Sequence, residues 1–490
     1  MLRQAGHQTE LLYDPSIVDT PYFALPLLDN LRKRIDSRLL QRARDFAPDL
    51  IAFSAHTFIY PFIKQVATNL KEELGVPMII GGVHASVLPE KMLDDGFDIV
   101  CIGEGEGALL ELVSKLEAGE DITGIRNLWL KDDSGTIHRN SLRPLFEDLD
   151  GLPYWDKDLF NRQGAIFHRL EFLTCRDCPF SCTFCYNSAV NQVYKGKQKL
   201  HRRMGVDRAI EELIVHRNKL KPWGAYIYDD IFVMDIDWLE HFCDQWKSHI
   251  GVDFGCNVHP QLVNHRIMRA LKDAGCYIMD MGVQTGNEDL RRSLNRRETN
   301  AQITWVCSEA RKMELKVCLQ YIFGLPGETP STMAETVKMN RLWKPHYVYT
   351  TLLAPLPGTK ILDQCIDAGL LDEDGLQKIY EGYYSFHKGF LLKHPYREMV
   401  INMKYLFPLF SEFPVFIGDK ILLRLIKRRY GLMTRILGII GIPIMDFRLA
   451  LEKFVEMLYS TWRFFRGQPA HKAIRDHLNA ELSSTPSRLR

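Results

Sequence analysis

Four cysteines, Cys175, Cys178, Cys182 and Cys185, crowd one short stretch, while the other seven of the chain are scattered singly. The last three form a C-x3-C-x2-C run, Cys178-Pro-Phe-Ser-Cys182-Thr-Phe-Cys185. Three thiolates on a short loop can each bind one iron of a 4Fe–4S cube, leaving the fourth iron for a ligand that is not protein. With Cys175 just upstream, the same loop also carries enough thiolates for a closed four-cysteine zinc site or a closed cluster. Spacing alone leaves these readings open. An odd total of 11 cysteines with one tight group points to metal ligation in a reducing compartment rather than a disulfide framework.

Other residues with chemical potential sit where apolar runs end. Asp229-Asp230 follows one such run, although an acidic pair there is by itself an ordinary turn or helix cap. Gly282-Val283-Gln284-Thr285-Gly286, Phe323-Gly324-Leu325-Pro326-Gly327-Glu328-Thr329 and Pro355-Leu-Pro-Gly-Thr359 end three more. Nearer the N-terminus, Gly81-Gly82 and Gly103-Glu104-Gly105-Glu106 are turns at which a phosphate or nucleotide can approach the backbone. His56 and His84, each taken alone, read as hydrogen-bonded structural histidines.

The elements that position these residues alternate. Thr9–Tyr13, Asp49–Ser54, Pro77–Ile80 and Asp98–Ile102 are expected as strands, with helices over Phe62–Leu74 and Ala108–Glu117. That order implies a parallel, doubly wound sheet with ligands at the C-terminal strand ends. Residues 121–158 read as a hairpin and linker. A second array places strands near Glu171–Thr174, Tyr226–Tyr228, Phe254–Val258, Tyr277–Val283, Val317–Phe323 and Val348–Leu353, which suggests a full or partial barrel. The expected units are 1–145, a linker at 146–167, 168–365, and a helical region at 366–490. With 62 Lys+Arg against 61 Asp+Glu the net charge is +1, which argues against a protein that coats nucleic acid. The N-terminus lacks the apolar core of a signal peptide and no long uncharged apolar run occurs, so a cytoplasmic location is expected.

The cysteine run, with Phe184 before its last cysteine, resembles the signature of the radical S-adenosylmethionine (SAM) superfamily. The motifs downstream occur in the order that family shows. The resemblance implies that Cys178, Cys182 and Cys185 hold the cluster, that SAM chelates the open iron, and that one electron cleaves it to a 5′-deoxyadenosyl radical. It further implies SAM contacts from Phe184, Asp229, Asp230, Gln284 and the turn Gly324-Leu325-Pro326. The family usually has Glu where this chain has Gln284, which can hydrogen-bond but adds no charge. Cys175 is then a bystander.

The first unit resembles the cobalamin-binding domain that precedes many radical SAM domains. This implies cobalamin contacts from Ser54, His56, Thr57, Gly81, Gly82, His84, Gly103, Glu104 and Glu106. No Asp-x-His-x-x-Gly run is present, so no protein histidine is expected on cobalt. The family's domain opens with a central strand, and Met1–His7 resembles the end of the helix after it, so the start of the domain is expected upstream. At the other end, Lys420, Arg424, Lys427 and Arg428 share one helix face opposite Ile421, Leu422, Leu425 and Ile426, ahead of the apolar stretch Ile436–Met445. That pattern fits a cap helix with a solvated basic face, or peripheral membrane contact.

The fold expected is therefore α/β: a Rossmann-like (flavodoxin-like) cobalamin domain, a partial (β/α)6 barrel and a helical C-terminal cap. The expected function is radical SAM chemistry with cobalamin that methylates an unactivated carbon or phosphorus of a small-molecule substrate. An electron donor such as flavodoxin or ferredoxin is implied, and nucleic acid is not. A cobalamin-dependent cyclase or rearrangement enzyme, like the anaerobic porphyrin-ring cyclases, is one alternative. A degenerate, non-catalytic binding protein is the other.

Overall fold

The computed structural model describes residues 1–13, 28–132, 134–163, 169–194, 201–383 and 390–411, together with residues 424, 426 and 427. Two sheets organise it. The first has the order β1 (Ile51–Ser54), β2 (Met78–Gly81), β3 (Ile99–Cys101), β4 (Leu128–Lys131), β5 (Ile137–Arg139). β1, β2 and β3 run parallel, and β4–β5 is an antiparallel hairpin on the far side of β3. Met78, Ile79 and Ile80 are all buried, as expected of a strand covered on both faces. The helix Tyr60–Leu74 turns Tyr60, Ile63, Ala67 and Leu70 onto this sheet and ends at Gly75 in the left-handed conformation.

One expected strand is absent. Thr9–Tyr13 forms no strand, and among the described residues nothing hydrogen-bonds to the outer edge of β1. A strand exists only in a ladder, and no strand lies beside this segment to receive it.

The second sheet is wholly parallel. Its strands are β6 (Arg169–Phe172), β9 (Gly224–Ile227), β10 (Phe254–Val258), β11 (Cys276–Gln284), β12 (Lys316–Phe323) and β13 (Tyr347–Leu352), in the order β13-β12-β11-β10-β9-β6. Between β6 and β9 lies the small antiparallel pair β7 (Cys175–Arg176) and β8 (Arg202–Arg203). The outer face is packed by helices such as Val206–Leu220, Ile236–His249 and Pro330–Trp343, whose Leu213, Trp246 and Trp343 join the main core. Alternate residues on the inner face stay partly open, including Tyr226, Asn257, Asp280 and Gln320. Among the described residues no bonds join β6 to β13, so the barrel is partial. The helix Arg397–Ser411 lies on β12 and β13, with the Phe407 ring 5.2 Å from Tyr321.

Arg424 and Lys427 are exposed and Ile426 is buried, but the rest of the basic helix and the stretch Ile436–Met445 lie outside the described residues. Among the described residues no helix is long and apolar enough to cross a membrane.

Candidate functional site

The cysteine loop leaves β6 at the C-terminal edge of the second sheet. Its entry is clamped by Asp229 at the end of β9. That carboxylate is fully buried and accepts the amides of Thr174 at 2.6 Å and Cys175 at 3.2 Å, as well as the Thr174 hydroxyl. Arg203 on β8 stands 3.4 Å away. Asp229 is thus occupied in holding the loop. Cys175 faces this clamp: burial and the neighbouring Asp229 carboxylate push its thiol far up, and it stays protonated.

Cys178, Cys182 and Cys185 share a different environment. Burial pushes Cys178 up to about 12 and Cys185 up to about 11, and raises Cys182 as well. Charge on Cys182 or Cys185 further disfavours charge on Cys178, so the three sulfurs face one region. The Phe180 amide favours the Cys178 thiolate and the Asn187 amide favours that of Cys185. Arg296 Nη1 lies 3.7 Å from Cys182 Sγ. Sulfurs gathered among N–H donors and one guanidinium fit an anionic iron–sulfur group. Among the described residues no three His, Cys, Asp or Glu side chains converge on a single ion.

Asp230 opens toward the same region. Although its edge meets solvent, the surrounding protein pushes its carboxyl upward, aided by Asp229 and Asp177 and opposed by a hydrogen bond to Asn187. Its charge acts on both Cys178 and Cys185. Phe184 packs against the main core. Gln284 ends β11 at a bulge with φ +64°, a left-handed conformation that is strained for a non-glycine residue. The Gly324-Leu325-Pro326 turn is fixed from beneath by Glu328, which receives the Gly324 amide at 2.5 Å and is pushed up to about 8 by burial.

At the end of the first sheet lies a cavity of about 1170 Å³, larger than the 300–1,000 Å³ usual for ligand pockets. Ser54, Gly81, Gly82, Gly103, Glu104 and Glu106 line it. The segment 1–4 and residues 152–159 complete its wall. Gly103 (φ +75°) and Gly82 (φ +93°) have packing reasons to be glycine: a Cβ would meet Tyr194 Oη at 1.8 Å and Ala55 O at 2.6 Å respectively. Gly81 has none. Its Cβ would lie 3.5 Å from Cys101 Cβ, an ordinary contact, so a glycine there keeps cavity space open. A cradle of bare backbone at three strand ends fits a large planar cofactor such as cobalamin.

His56, Thr57 and His84 do not line this cavity. His56 is exposed. His84 is fully buried, its ring tilted at 43° against the Tyr60 ring with centroids 4.5 Å apart, and its Nδ1 lies 3.0 Å from Thr57 Oγ1. Burial lowers its imidazole to about 4. Thr57 in turn bonds to Tyr186, the residue after Cys185. The helix Tyr186–Val193 therefore ties the cysteine loop to the first sheet's turns, and Tyr194 at its end receives the Glu104 amide at 3.0 Å. Glu104 pairs with Arg176 at 2.7 Å and Arg202 at 2.9 Å, and Glu106 pairs with Arg176 at 2.5 Å. Burial acts upward on Glu104, but the Phe146 amide and the two arginines hold it below the usual carboxylate range.

Several residues escaped sequence reasoning. Tyr226 donates to Asn257 Oδ1 at 2.9 Å and to Asp280, forming a polar belt across β9, β10 and β11 on the inner face. Burial raises the Asp280 carboxyl. The signal was available, since all three occupy inward positions of alternating strands. Arg296, Glu298 and His259 carried no such signal, because Arg296-Arg297-Glu298 reads as a solvated charge run.

The B12 binding domain matches residues 1–113 and the radical SAM superfamily matches residues 172–339. An uncharacterized methyltransferase of Pyrococcus horikoshii is 26% identical over 357 residues, covering 70% of this chain and 75% of that protein. An anaerobic magnesium-protoporphyrin IX monomethyl ester cyclase of Rubrivivax gelatinosus is 23% identical over 351 residues; the match takes in 68% of this chain and 61% of the cyclase, under two thirds of its length. Among solved structures, the cobalamin-dependent S-adenosylmethionine radical enzyme OxsB with aqua-cobalamin bound superposes with a TM-score of 0.61 at 14% identity, covering 91% of this chain and 75% of that one. That likeness is one of fold.

Proposed function

The chain is a radical SAM enzyme with a B12 binding domain, and from that premise we propose that it methylates an unactivated carbon or phosphorus of a small-molecule substrate. The observation that carries this reading is the short helix Tyr186–Val193: it begins at the third cysteine and docks on the turns at the rim of the cavity. When bound, the cluster and SAM supply a carbon-centred radical and cobalamin supplies the methyl group.

The chain's own residues bind, orient and exclude water. Cys178, Cys182 and Cys185 hold the cluster as thiolates. Asp230 holds the SAM ammonium by a charge-assisted hydrogen bond. Gln284 and the Gly324–Pro326 backbone orient the rest of SAM. Ser54, Gly81, Gly82 and Gly103 cradle cobalamin through backbone and hydroxyl contacts, while Glu104 and Glu106 act indirectly by fixing Arg176. The belt of Tyr226, Asn257 and Asp280 faces substrate. A flavodoxin or ferredoxin delivers the electron.

Anaerobic reconstitution tests the reading. The protein should bind about four irons, bind hydroxocobalamin one to one, and convert SAM to 5′-deoxyadenosine. Zinc bound in anaerobically purified protein that accepts no iron would sink it. Likeness to the cyclase favours a second reading, ring closure without methyl transfer. Product mass separates the two, since methylation adds one CH2 unit and cyclisation does not.

A further inference from the structure

We propose that Arg296 is a positioning residue that sets the reduction potential of the cluster through Cys182, and that Glu298 and His259 hold it in place. This rests on the reading of Cys178, Cys182 and Cys185 as cluster ligands. Arg296 is nearly buried, and each guanidinium nitrogen has its own target. Nη1 points to Cys182 Sγ at 3.7 Å, Nη2 donates to Gly282 O at 2.7 Å, and Nε donates to Glu298 Oε1 at 2.6 Å. The fork joins the cysteine loop to the strand end beside Gln284.

The anchor behind it is unusual. The Glu298 side chain is fully buried, and its Oε2 has no hydrogen-bond partner among the described residues. It faces His259 Nε2 at 3.8 Å, also without a partner. His259 Nδ1 accepts the Gln261 amide at 3.4 Å, which assigns the ring proton to Nε2, toward the carboxylate. The His259 ring stacks on Phe180, inside the cysteine run, at 4.1 Å and 11°. The imidazole thus touches the loop by its face and aims its proton at the carboxylate that grips the arginine. A buried carboxylate is costly unless paired, and this one is spent on orienting a cation at a single sulfur.

The physical effect has a definite sign. Reduction adds one electron to the cluster, taken from a low-potential flavin or iron–sulfur donor, and no bond forms or breaks. A cation against one sulfur stabilises the more negative, reduced state, and hydrogen bonds to cluster sulfurs act in the same direction. The Glu298 charge lies behind the guanidinium and opposes it. Neutralising the arginine should therefore lower the potential, and neutralising the glutamate should raise it. A residue that merely braced the strand end would give no such opposite pair.

The test is an EPR-monitored redox titration of the reconstituted protein, with iron content and circular dichroism recorded on each sample. In Arg296→Met the reduced-to-oxidised ratio at the wild-type midpoint should fall about tenfold, which for one electron is 59 mV. Arg296→Lys keeps the charge without the fork and should fall less. Glu298→Gln still accepts from Nε and should shift upward. Fully loaded Arg296→Met with an unchanged midpoint would overturn the proposal. So would Arg296→Met and Glu298→Gln moving in the same direction. If both arginine variants fold but hold no iron, Arg296 serves cluster assembly and not tuning. If the wild type itself takes up no cluster, the underlying reading of the cysteines fails instead.

Discussion

Gly81 and Gly82 are neighbours in sequence, yet replacing each by alanine should have opposite consequences. Gly82 sits at φ +93°, ψ −179°, a region only glycine adopts readily, at a cost of about 1–3 kcal/mol for other residues. Its Cβ would also lie 2.6 Å from Ala55 O and 2.8 Å from Ala55 N, both backbone atoms that cannot swing aside. Overpacking of that kind costs about 1–3 kcal/mol. Gly82→Ala should thus lose about 2–6 kcal/mol, a large part of a typical domain's 5–15 kcal/mol. Gly81→Ala meets only ordinary contacts, Cys101 Cβ at 3.5 Å and Cys101 O at 3.7 Å. It should be neutral or gain up to about 1 kcal/mol through the stiffer unfolded chain. Its methyl group projects into the cavity, however, and should weaken hydroxocobalamin binding about tenfold, or 1.4 kcal/mol. The assay is urea unfolding followed by tryptophan fluorescence, with Trp129 packed against this core as reporter, then cobalamin titration of the folded variants. Gly81→Ala that unfolds as readily as Gly82→Ala, or that binds cobalamin as the wild type does, would refute the reasoning.

Cys175→Ser should keep iron and SAM cleavage, because Cys175 faces Asp229 and Arg203; loss of iron in that variant alone would indicate a closed four-thiolate site. Asp230→Asn should raise the dissociation constant for SAM about thirtyfold while leaving the melting curve intact, a loss of about 2 kcal/mol, within the 1.5–3 kcal/mol of a charged hydrogen bond. Asp229→Asn should instead destabilise the apo protein by about 1–3 kcal/mol, because Arg203 and two amides lose their charged partner. His84 titrates near 4 when folded, against 6.5 unfolded. The unfolded chain alone takes up that proton as the pH falls from 6.5 to 4, so the stability is complete above 6.5 and is lost through that window. The advantage of wild type over His84→Gln in urea should shrink by on the order of 3 kcal/mol between pH 7 and pH 4, and a difference independent of pH would contradict it.

The barrel strands were legible because each is a short, mostly apolar run that ends in a turn or an acidic pair, as Phe254–Val258 and Lys316–Phe323 do despite Asn257 and Gln320 on their inner face. The cysteine loop was legible because its cysteines are close in sequence. Thr9–Tyr13 misled because a strand pattern says nothing about whether a partner strand is present. His84 misled for a related reason: a histidine after a glycine turn looks the same whether it faces a ligand or, as here, packs inward on Tyr60 and Thr57. Glu104 and Arg176 are 72 positions apart, and no local pattern announces that they pair. Arg296 and Glu298 were hidden in plain view, since only the tertiary fold converts an ordinary charge run into a buried fork beside a sulfur.

Tyr186, Tyr194, Arg176 and Arg202 all belong to the stretch 175–203, and all of them grip the first domain. Gly103 is shaped to the Tyr194 ring, and Gly358 wedges between Val87 of one domain and Ala189 of the other. The border between the two halves is therefore not the linker where a sequence would be cut. Anyone building a chimera, with this first domain on a foreign barrel, would have to move residues 175–203 along with it, or redesign Gly103 and Glu104 to suit the new host. The segment that carries the three-cysteine run is also the one cut to fit its neighbour.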